Sequence, residues 1–549
     1  MIFAETILDV VTEIAKRIFH PHCFRDFEPQ YILLIISSLA IVFALFFYLS
    51  KKTIFVSAKV LKYILALCII YISLPSVLFI LSLHIAVVVK LILCGLVLYY
   101  TYKAMKGVFI SGVISDRHGY YLRMDIACLC IGLVIVSYFS LLYGRGFNFD
   151  WPKHRSILLC LYNNPLDPTL DGFNTPHSSN LSGANLVYYY AMYLPSVYTA
   201  KILSIFFTIT NIKILAYLLT LLFSIWNFLG LLLAFSLMPV CCNKIFKSTD
   251  NRLQWGYFYL SILIFSGLKF WCRILPIEKF RLGECISLSY FAYFNSFILF
   301  WTWIPSQLVA GLLGVVLLLI YKDRLEFFSL CLWSTFLISS SAFCWIGSVP
   351  IILYVACDRL FRTPRQNFRY RCRQIFKKMS AEIVVTSVIC LITIFFYLSK
   401  QYPEVLSINR SLLRKSGLTN YMQFHLVELG PVLMILLTAI KRKILIPAIA
   451  WLAVGLFLVL SVFELGAYNE LFSRASIPAF CVLMIVFSYV VQHVMSDRSL
   501  VRRLPLIILL IALGVSFIND YIYGLRMRSV YISANSQFAY QYAGKPQMK

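Results

Sequence analysis

Charged residues are scarce in this chain of 549 residues. Asp, Glu, Lys and Arg together make up 13% of the sequence, whereas hydrophobic residues make up 61%. The mean hydropathy is +0.82. A soluble domain carries about twice this charged fraction. The shortage of charge therefore excludes an ordinary soluble protein and predicts an integral membrane protein.

The sequence also lacks the alternation of apolar and polar residues that a membrane β-barrel requires. Its apolar runs are continuous, and many reach the roughly 20 residues that a membrane-spanning helix needs. Helices satisfy their own backbone hydrogen bonds in lipid. We therefore expect an all-α polytopic membrane protein with roughly 13 or 14 transmembrane helices and with interfacial helices in a long outer loop.

Acidic residues are few, 23 against 49 Lys and Arg, and the net charge is +26. The basic residues cluster in short turns between apolar runs, which is how the positive-inside rule marks cytoplasmic loops. They lack the aromatic interleaving of nucleic-acid-binding segments, so no nucleic-acid partner is expected. The basic turns are Lys51-Lys52, 103–123, 244–252, 322–324, 359–378, 441–443 and 498–503.

Cysteines with zinc-ligand spacing are absent. Most of the 16 cysteines lie within apolar runs, where they behave as small hydrophobic residues. Cys128 and Cys130, or Cys241 and Cys242, have no second pair at a suitable spacing. We predict no metal site from this pattern. The sequence requires no cofactor, although Asp150, Asp167 and Asp171 leave a divalent cation open.

The order of apolar runs and basic turns divides the chain into four parts. A span at about 125–143 leads to a long polar outer loop at 144–211, and 212–238 returns to the basic side. Within this loop, 186–207 is interpreted as an interfacial helix. The parts are an amphipathic N-terminal segment at 1–30, N-terminal membrane helices at 31–124, a membrane domain at 125–520 and a C-terminal tail at 521–549.

The outer loop contains the best candidate for chemistry. Asp150 follows a span and precedes Trp151-Pro152, a pattern typical of a helix start. Asp150 and His154 are four residues apart and would share one face of that helix. A carboxylate at the membrane surface can accept a proton from a hydroxyl, so Asp150 is the candidate catalytic base. His154 is interpreted as a group that orients or binds. The competing interpretation is that Asp150 only caps the helix.

Basic residues on the outer side are not explained by the positive-inside rule, and a guanidinium there suits a lipid phosphate. Gln307 follows two tryptophans at the start of a span, where a sugar would meet both polar and aromatic groups. Simple solvation and an aromatic belt are the alternatives. The predicted substrate-binding residues are Lys153, Arg155, Tyr189, Gln307, Arg410 and Arg474.

The arrangement over 125–238 resembles the GT-C class of polytopic membrane glycosyltransferases. The resemblance lies in Asp150 at the start of a long outer loop, in the stretch from Leu186 to Pro195 that is rich in Tyr, and in the returning span. It implies a polyprenyl-phosphate sugar as donor, an unknown hydroxyl as acceptor and Asp150 as the base.

The sequence therefore predicts an inverting glycosyltransferase that works on the outer face, with Arg474 and Arg410 as candidate phosphate ligands. A bacterial inner membrane is the expected location. Three alternatives stay open: a transporter or flippase of lipid-linked saccharide, a polymerase or ligase of surface polysaccharide that uses Arg410, Arg414 and His425, and an assembly factor without enzymatic activity. Lys90, inside an apolar run, is the residue that would favour transport.

Overall fold

The structure is a computed structural model, and it describes part of the chain. The described residues are 53–110, 112–115, 119–123, 151–166, 168, 186, 189–207, 211–246, 255–267, 297, 300–301, 304–361, 368–399, 408–409, 412–465, 470–497 and 499–526.

Helices dominate the described chain, and four short strands form two small antiparallel pairs. In chain order the elements are β1 (Thr53–Val56), α1 (Ala58–Ser82), α2 (Val87–Ile110), β2 (Tyr120–Arg123), α3 (Trp151–Asn163), α4 (Leu194–Phe206), α5 (Ile212–Phe246), α6 (Gly256–Leu263), α7 (Pro305–Ile320), α8 (Leu330–Ser340), α9 (Ala342–Phe361), α10 (Phe368–Leu398), β3 (Ile408–Asn409), α11 (Leu412–Lys441), α12 (Ala448–Leu460), β4 (Glu464–Leu465), α13 (Glu470–Ala475), α14 (Ile477–Met495) and α15 (Leu500–Arg526).

Eight of the described helices are long and apolar enough to cross a membrane, and three shorter apolar helices accompany them. The predicted all-α, multi-pass membrane fold is confirmed. The total of 13 or 14 spans stays a prediction, because 1–52 and 124–150 lie outside the described residues. The eight long segments are Ala58–Ser82, Val87–Ile110, Ile214–Phe246, Ala342–Arg359, Ser380–Leu398, Tyr421–Lys441, Ile477–Met495 and Leu500–Phe517.

The centre of the bundle is formed by α14 and α7. In the apolar 18-residue stretch of α14, 94% of the residues are buried, against 22% in that of α15. Every residue of α7 is buried. A helix that is apolar on all sides belongs inside a bundle, which explains both positions. Gly311 permits the two helices to approach, since a Cβ there would come within 2.6 Å of Ile477 Cγ2.

Described residues from several of the basic turns lie at one end of this bundle, called here the basic end. Lys244, at the end of α5, lies near Asp323 in the turn after α7. Stacked rings of Phe246 and Tyr489, 3.8 Å apart, join that end of α5 to the last turns of α14. The opposite end contains the last residues of α1, α8, α10 and α12 and the first residues of α7, α9 and α14.

A buried carboxylate fastens three elements near the basic end. Glu382 of α10 is 1% exposed. Its Oε1 accepts hydrogen bonds from the Ser329 hydroxyl at 3.0 Å and from the Cys331 N–H at 3.1 Å. Its Oε2 lies 3.3 Å from Lys103 Nζ of α2. Both oxygens are therefore satisfied, as a charge buried among helices requires.

The long outer loop predicted at 144–211 contains two described helices, α3 and α4. The first begins at Trp151, directly after Asp150, where the sequence predicts a helix start. The second has 13 residues, which gives it a length of about 20 Å. A helix of this length is shorter than a hydrocarbon core of about 30 Å, and the interfacial placement of 186–207 stays a prediction.

Candidate functional site

A short buried segment of tyrosines organises the opposite end of the bundle. Tyr190 is fully buried. Its ring lies 5.3 Å from Phe79 of α1, and its hydroxyl accepts a hydrogen bond of 3.1 Å from Ser82. A single 3-10 turn, Ala191–Tyr193, then leads into α4, which has Pro195 in its first turn. These contacts fix Tyr189 and Tyr193 at either side of Tyr190.

Arg474 lies against this segment. It belongs to the short helix α13, only 8% of it is exposed, and its guanidinium carbon is 5.3 Å from the centre of the Tyr189 ring. A cation over an aromatic face contributes about 0.5–2 kcal/mol, more when it is desolvated. The structure thus brings together two of the residues that the sequence predicts to bind substrate.

Gln307 joins the same group through Cys344, the third residue of α9. The Cys344 Sγ lies 3.4 Å from the carbonyl oxygen of Arg474 and 3.8 Å from that of Gln307. The start of α7, the start of α9 and α13 therefore meet at one point. The close approach of α9 to α13 depends on Gly347, because a Cβ there would overlap the carbonyl of Ala475.

Several polar atoms at this end have no hydrogen-bond partner among the described residues. Gln307 is 1% exposed, and its Oε1 is one such atom; the hydroxyls of Ser340 and Ser476 are others. A buried polar atom without a partner costs about 1–3 kcal/mol. Such atoms call for an explanation, and a bound polar ligand is one. We define Tyr189, Gln307, Ser340, Arg474 and Ser476 as the arginine cluster.

His154 lies at the other side of the tyrosine segment and is 1% exposed. Its Nδ1 is 2.6 Å from the Tyr193 hydroxyl, and its ring is 5.8 Å from Phe223 of α5. These contacts fasten α3 to α4 and α5. The ring of His154 is thus held in place by neighbouring elements, and its predicted orienting or binding role stays a prediction.

The other predicted residues are not seen to join the arginine cluster. The guanidinium of Arg155 lies 5.5 Å from the centre of the Tyr217 ring on α5, and burial lowers its pKa. Lys153 lies in α3, but its side chain is outside the described part of the chain, as are all atoms of Asp150 and Arg410. The predicted roles of these three residues stay predictions.

One described residue behind each of two alternative functions, His425 and Lys90, has a structural partner. His425 Nε2 is 2.8 Å from the Ser461 hydroxyl, which is also 2.9 Å from the Tyr421 hydroxyl. This network joins α11 to α12. Lys90 lies in the first turn of α2 and donates a hydrogen bond of 2.9 Å to the carbonyl of Leu81. It therefore sits at the end of a helical hairpin rather than midway along a span.

Sequence reasoning missed Cys344, Gly347 and Tyr397. The Tyr397 ring lies 6.4 Å from Tyr189, and its hydroxyl donates a hydrogen bond of 2.9 Å to the Ile338 carbonyl. In the sequence these residues are ordinary members of apolar runs, so no local signal marks them. Among the described residues, no group of three His, Cys, Asp or Glu side chains is placed to hold a metal ion.

Comparisons of this chain with family models, with curated proteins and with solved structures give no match.

Proposed function

We propose that the protein is a membrane glycosyltransferase that moves a sugar from a lipid-phosphate donor to a hydroxyl acceptor at the arginine cluster. The observation that carries the proposal is the buried guanidinium of Arg474, set over Tyr189 at the end of the bundle where the buried amide oxygen of Gln307 has no partner within the described chain. A planar guanidinium binds two phosphate oxygens at once, and an amide oxygen accepts from sugar hydroxyls.

The position of the cluster in the bundle supports this role. It lies at the end away from the basic turns, and the positive-inside rule assigns those turns to the cytoplasm. The cluster would then face the outer surface of the membrane, which we propose to be a bacterial inner membrane. A lipid-linked donor can reach such a site from within the bilayer.

In the proposed step, the acceptor oxygen forms a bond to the anomeric carbon while the bond from that carbon to the phosphate oxygen breaks. The acceptor proton moves to the carboxylate of Asp150, and the lipid phosphate leaves with its electron pair, held by Arg474. Inversion follows from a single in-line displacement. Positioning and charge stabilisation supply the catalysis, so no protein nucleophile is needed.

The test is transfer by the purified protein in liposomes that contain radiolabelled polyprenyl-phosphate sugars. Removing a charged hydrogen-bonding group costs about 1.5–3 kcal/mol, so Arg474→Gln should lower kcat/KM roughly 10- to 100-fold. Arg474→Lys should retain part of the wild-type kcat/KM. Asp150→Asn should lower kcat by at least about 100-fold, since it removes the base.

The matched control is Lys201→Gln. Lys201 lies on α4 with its Nζ 5.2 Å from the centre of the Tyr162 ring, so this variant also removes a cation–aromatic contact from the same region. It should retain the wild-type rate. Equal losses in Arg474→Gln and Lys201→Gln would contradict the assigned phosphate site. Movement of the lipid-linked sugar across the bilayer, with no new glycosidic bond, would select the flippase instead.

A further inference from the structure

A cavity lies at the basic end, between α11, α14 and α15. Its volume is about 920 Å³, which is within the range of cavities that hold small ligands. It extends along the last two turns of α11, from Lys441 back to Met434, a distance of about 10 Å. It is separate from the arginine cluster, which occupies the other end of the bundle.

The inner wall of this cavity is apolar. Ile435, Leu506 and Leu509 line it and are 1%, 4% and 6% exposed, so they are packed in place. Met434, also lining it, is half exposed at 49%. Val501, which also lines the cavity, and Ile508, two turns further along α15, are exposed apolar side chains. An apolar wall next to such a face suits a hydrocarbon chain.

The rim of the cavity is cationic. Among the described residues that line it, Lys441, Arg442 and Arg502 stand against a single carboxylate, Asp497. The rim also includes His493, together with the hydroxyls of Thr438 and Ser496. A rim with more positive than negative charge attracts an anion. The attraction is strongest where the cationic side chains are held in place.

Arg442 is held in this way. Its Nη1 donates a hydrogen bond of 3.0 Å to Asp497 Oδ2, and its Nη2 donates to the carbonyl of Arg502. Asp497 is itself fixed by the N–H of Ser499, which donates to its Oδ1 at 3.0 Å. About a fifth of the Arg442 side chain is exposed, at 20%, so the guanidinium remains accessible at the rim.

We propose that this cavity is a binding site for an anionic phospholipid. The headgroup phosphate lies among Arg442, Lys441 and Arg502, and an acyl chain follows the wall formed by Leu506 and Leu509. A soluble anion would leave that wall in contact with water, whereas a lipid covers both regions. Basic cavities between spans on the cytoplasmic side are suited to anionic headgroups, which are concentrated in that leaflet. The proposal does not depend on the proposed transferase activity.

The experiment measures lipid retained by the purified full chain in nanodiscs of phosphatidylcholine with increasing phosphatidylglycerol, by native mass spectrometry. Each cation near an anionic surface contributes about a fivefold preference. Arg442→Gln combined with Arg502→Gln should therefore weaken phosphatidylglycerol binding about thirtyfold, with phosphatidylcholine unaffected. Lys59→Gln combined with Lys106→Gln is the matched control. Both lysines are exposed on helices of the basic end and lie outside the cavity, so this pair should change retention less than twofold.

Two further variants keep the proposal testable if the double arginine variant does not fold. Asp497→Asn removes the carboxylate that competes with a headgroup and should strengthen phosphatidylglycerol binding about fivefold. Leu509→Trp fills the wall and should expel the lipid while the rim charge is kept. The proposal is overturned if inorganic phosphate displaces the retained lipid, if Leu509→Trp has no effect, or if the rim and control pairs lose phosphatidylglycerol equally.

Discussion

Two replacements of Glu382 separate the contribution of its hydrogen bonds from that of its charge to the packing of α2, α8 and α10. Glu382→Ala removes the acceptor for both the Ser329 hydroxyl and the Cys331 N–H. A buried donor left without a partner costs about 1–3 kcal/mol. The cavity left by the side chain adds to this loss, whereas Ser329 still caps α8 by accepting from the Leu332 N–H. We therefore expect Glu382→Ala to lower the free energy of unfolding by about 3–4 kcal/mol.

Glu382→Gln keeps an acceptor oxygen for those two donors and loses only the charge. Its partner Lys103 has a side chain that is 40% exposed, so solvent screens this ion pair. A pair of that kind contributes about 0–1 kcal/mol. The carboxylate also lies at the first turn of α8, where the helix dipole adds about 0.3–1 kcal/mol. The expected loss in Glu382→Gln is therefore about 0.3–2 kcal/mol, at most about half that of the alanine variant.

The measurement is unfolding in a mixed detergent and denaturant series, followed by helix content, with Lys103→Ala as the companion variant. Lys103→Ala should lower the free energy of unfolding by less than about 1 kcal/mol, because its side chain is 40% exposed and solvent screens the ion pair. The double variant Lys103→Ala with Glu382→Gln should match Glu382→Gln alone to within about 0.5 kcal/mol. If Glu382→Gln is as destabilising as Glu382→Ala, the charge rather than the hydrogen bonds holds these helices, and the reasoning is refuted.

Two further variants test how the opposite end is held together. Gly347→Ala should push α9 away from the Ala475 carbonyl and lower both the melting temperature and the rate of sugar transfer. Its control is Gly455→Ala on α12, where a Cβ meets nothing within 4 Å, and this variant should lower neither quantity. Tyr193→Phe should lower the free energy of unfolding by about 1–3 kcal/mol, because it removes the hydroxyl that is hydrogen-bonded to His154. Its control is Tyr198→Phe, at a half-buried tyrosine of α4, which should lower that free energy by less than about 0.5 kcal/mol in the same thermal melts. Equal effects within either pair would contradict the contacts on which these predictions depend.

Composition and hydropathy determined the class of this protein, because they indicate whether the surface of a chain is solvated by water or by lipid. A chain with 61% hydrophobic and 13% charged residues, whose apolar runs are continuous rather than alternating, is expected to bury its backbone in lipid as helices, and the structure agrees. The sequence also predicted that α3 would begin at Trp151, since Asp and Pro are local signals for a helix start. Clustered Lys and Arg also marked turns whose described residues, such as Lys244 and Arg442, lie at the basic end.

The arrangement of the candidate site was decided by tertiary contacts. The sequence proposed Tyr189, Gln307 and Arg474 separately, and nothing local in it predicts that they share one cluster. Cys344 contacts the backbone carbonyls of both Arg474, 130 residues away, and Gln307, 37 residues away. Contacts over such separations arise from the way buried helices pack, and periodicity within one helix carries no information about its neighbour. For the same reason, the partners of His154, His425 and Glu382 became visible only in the folded bundle.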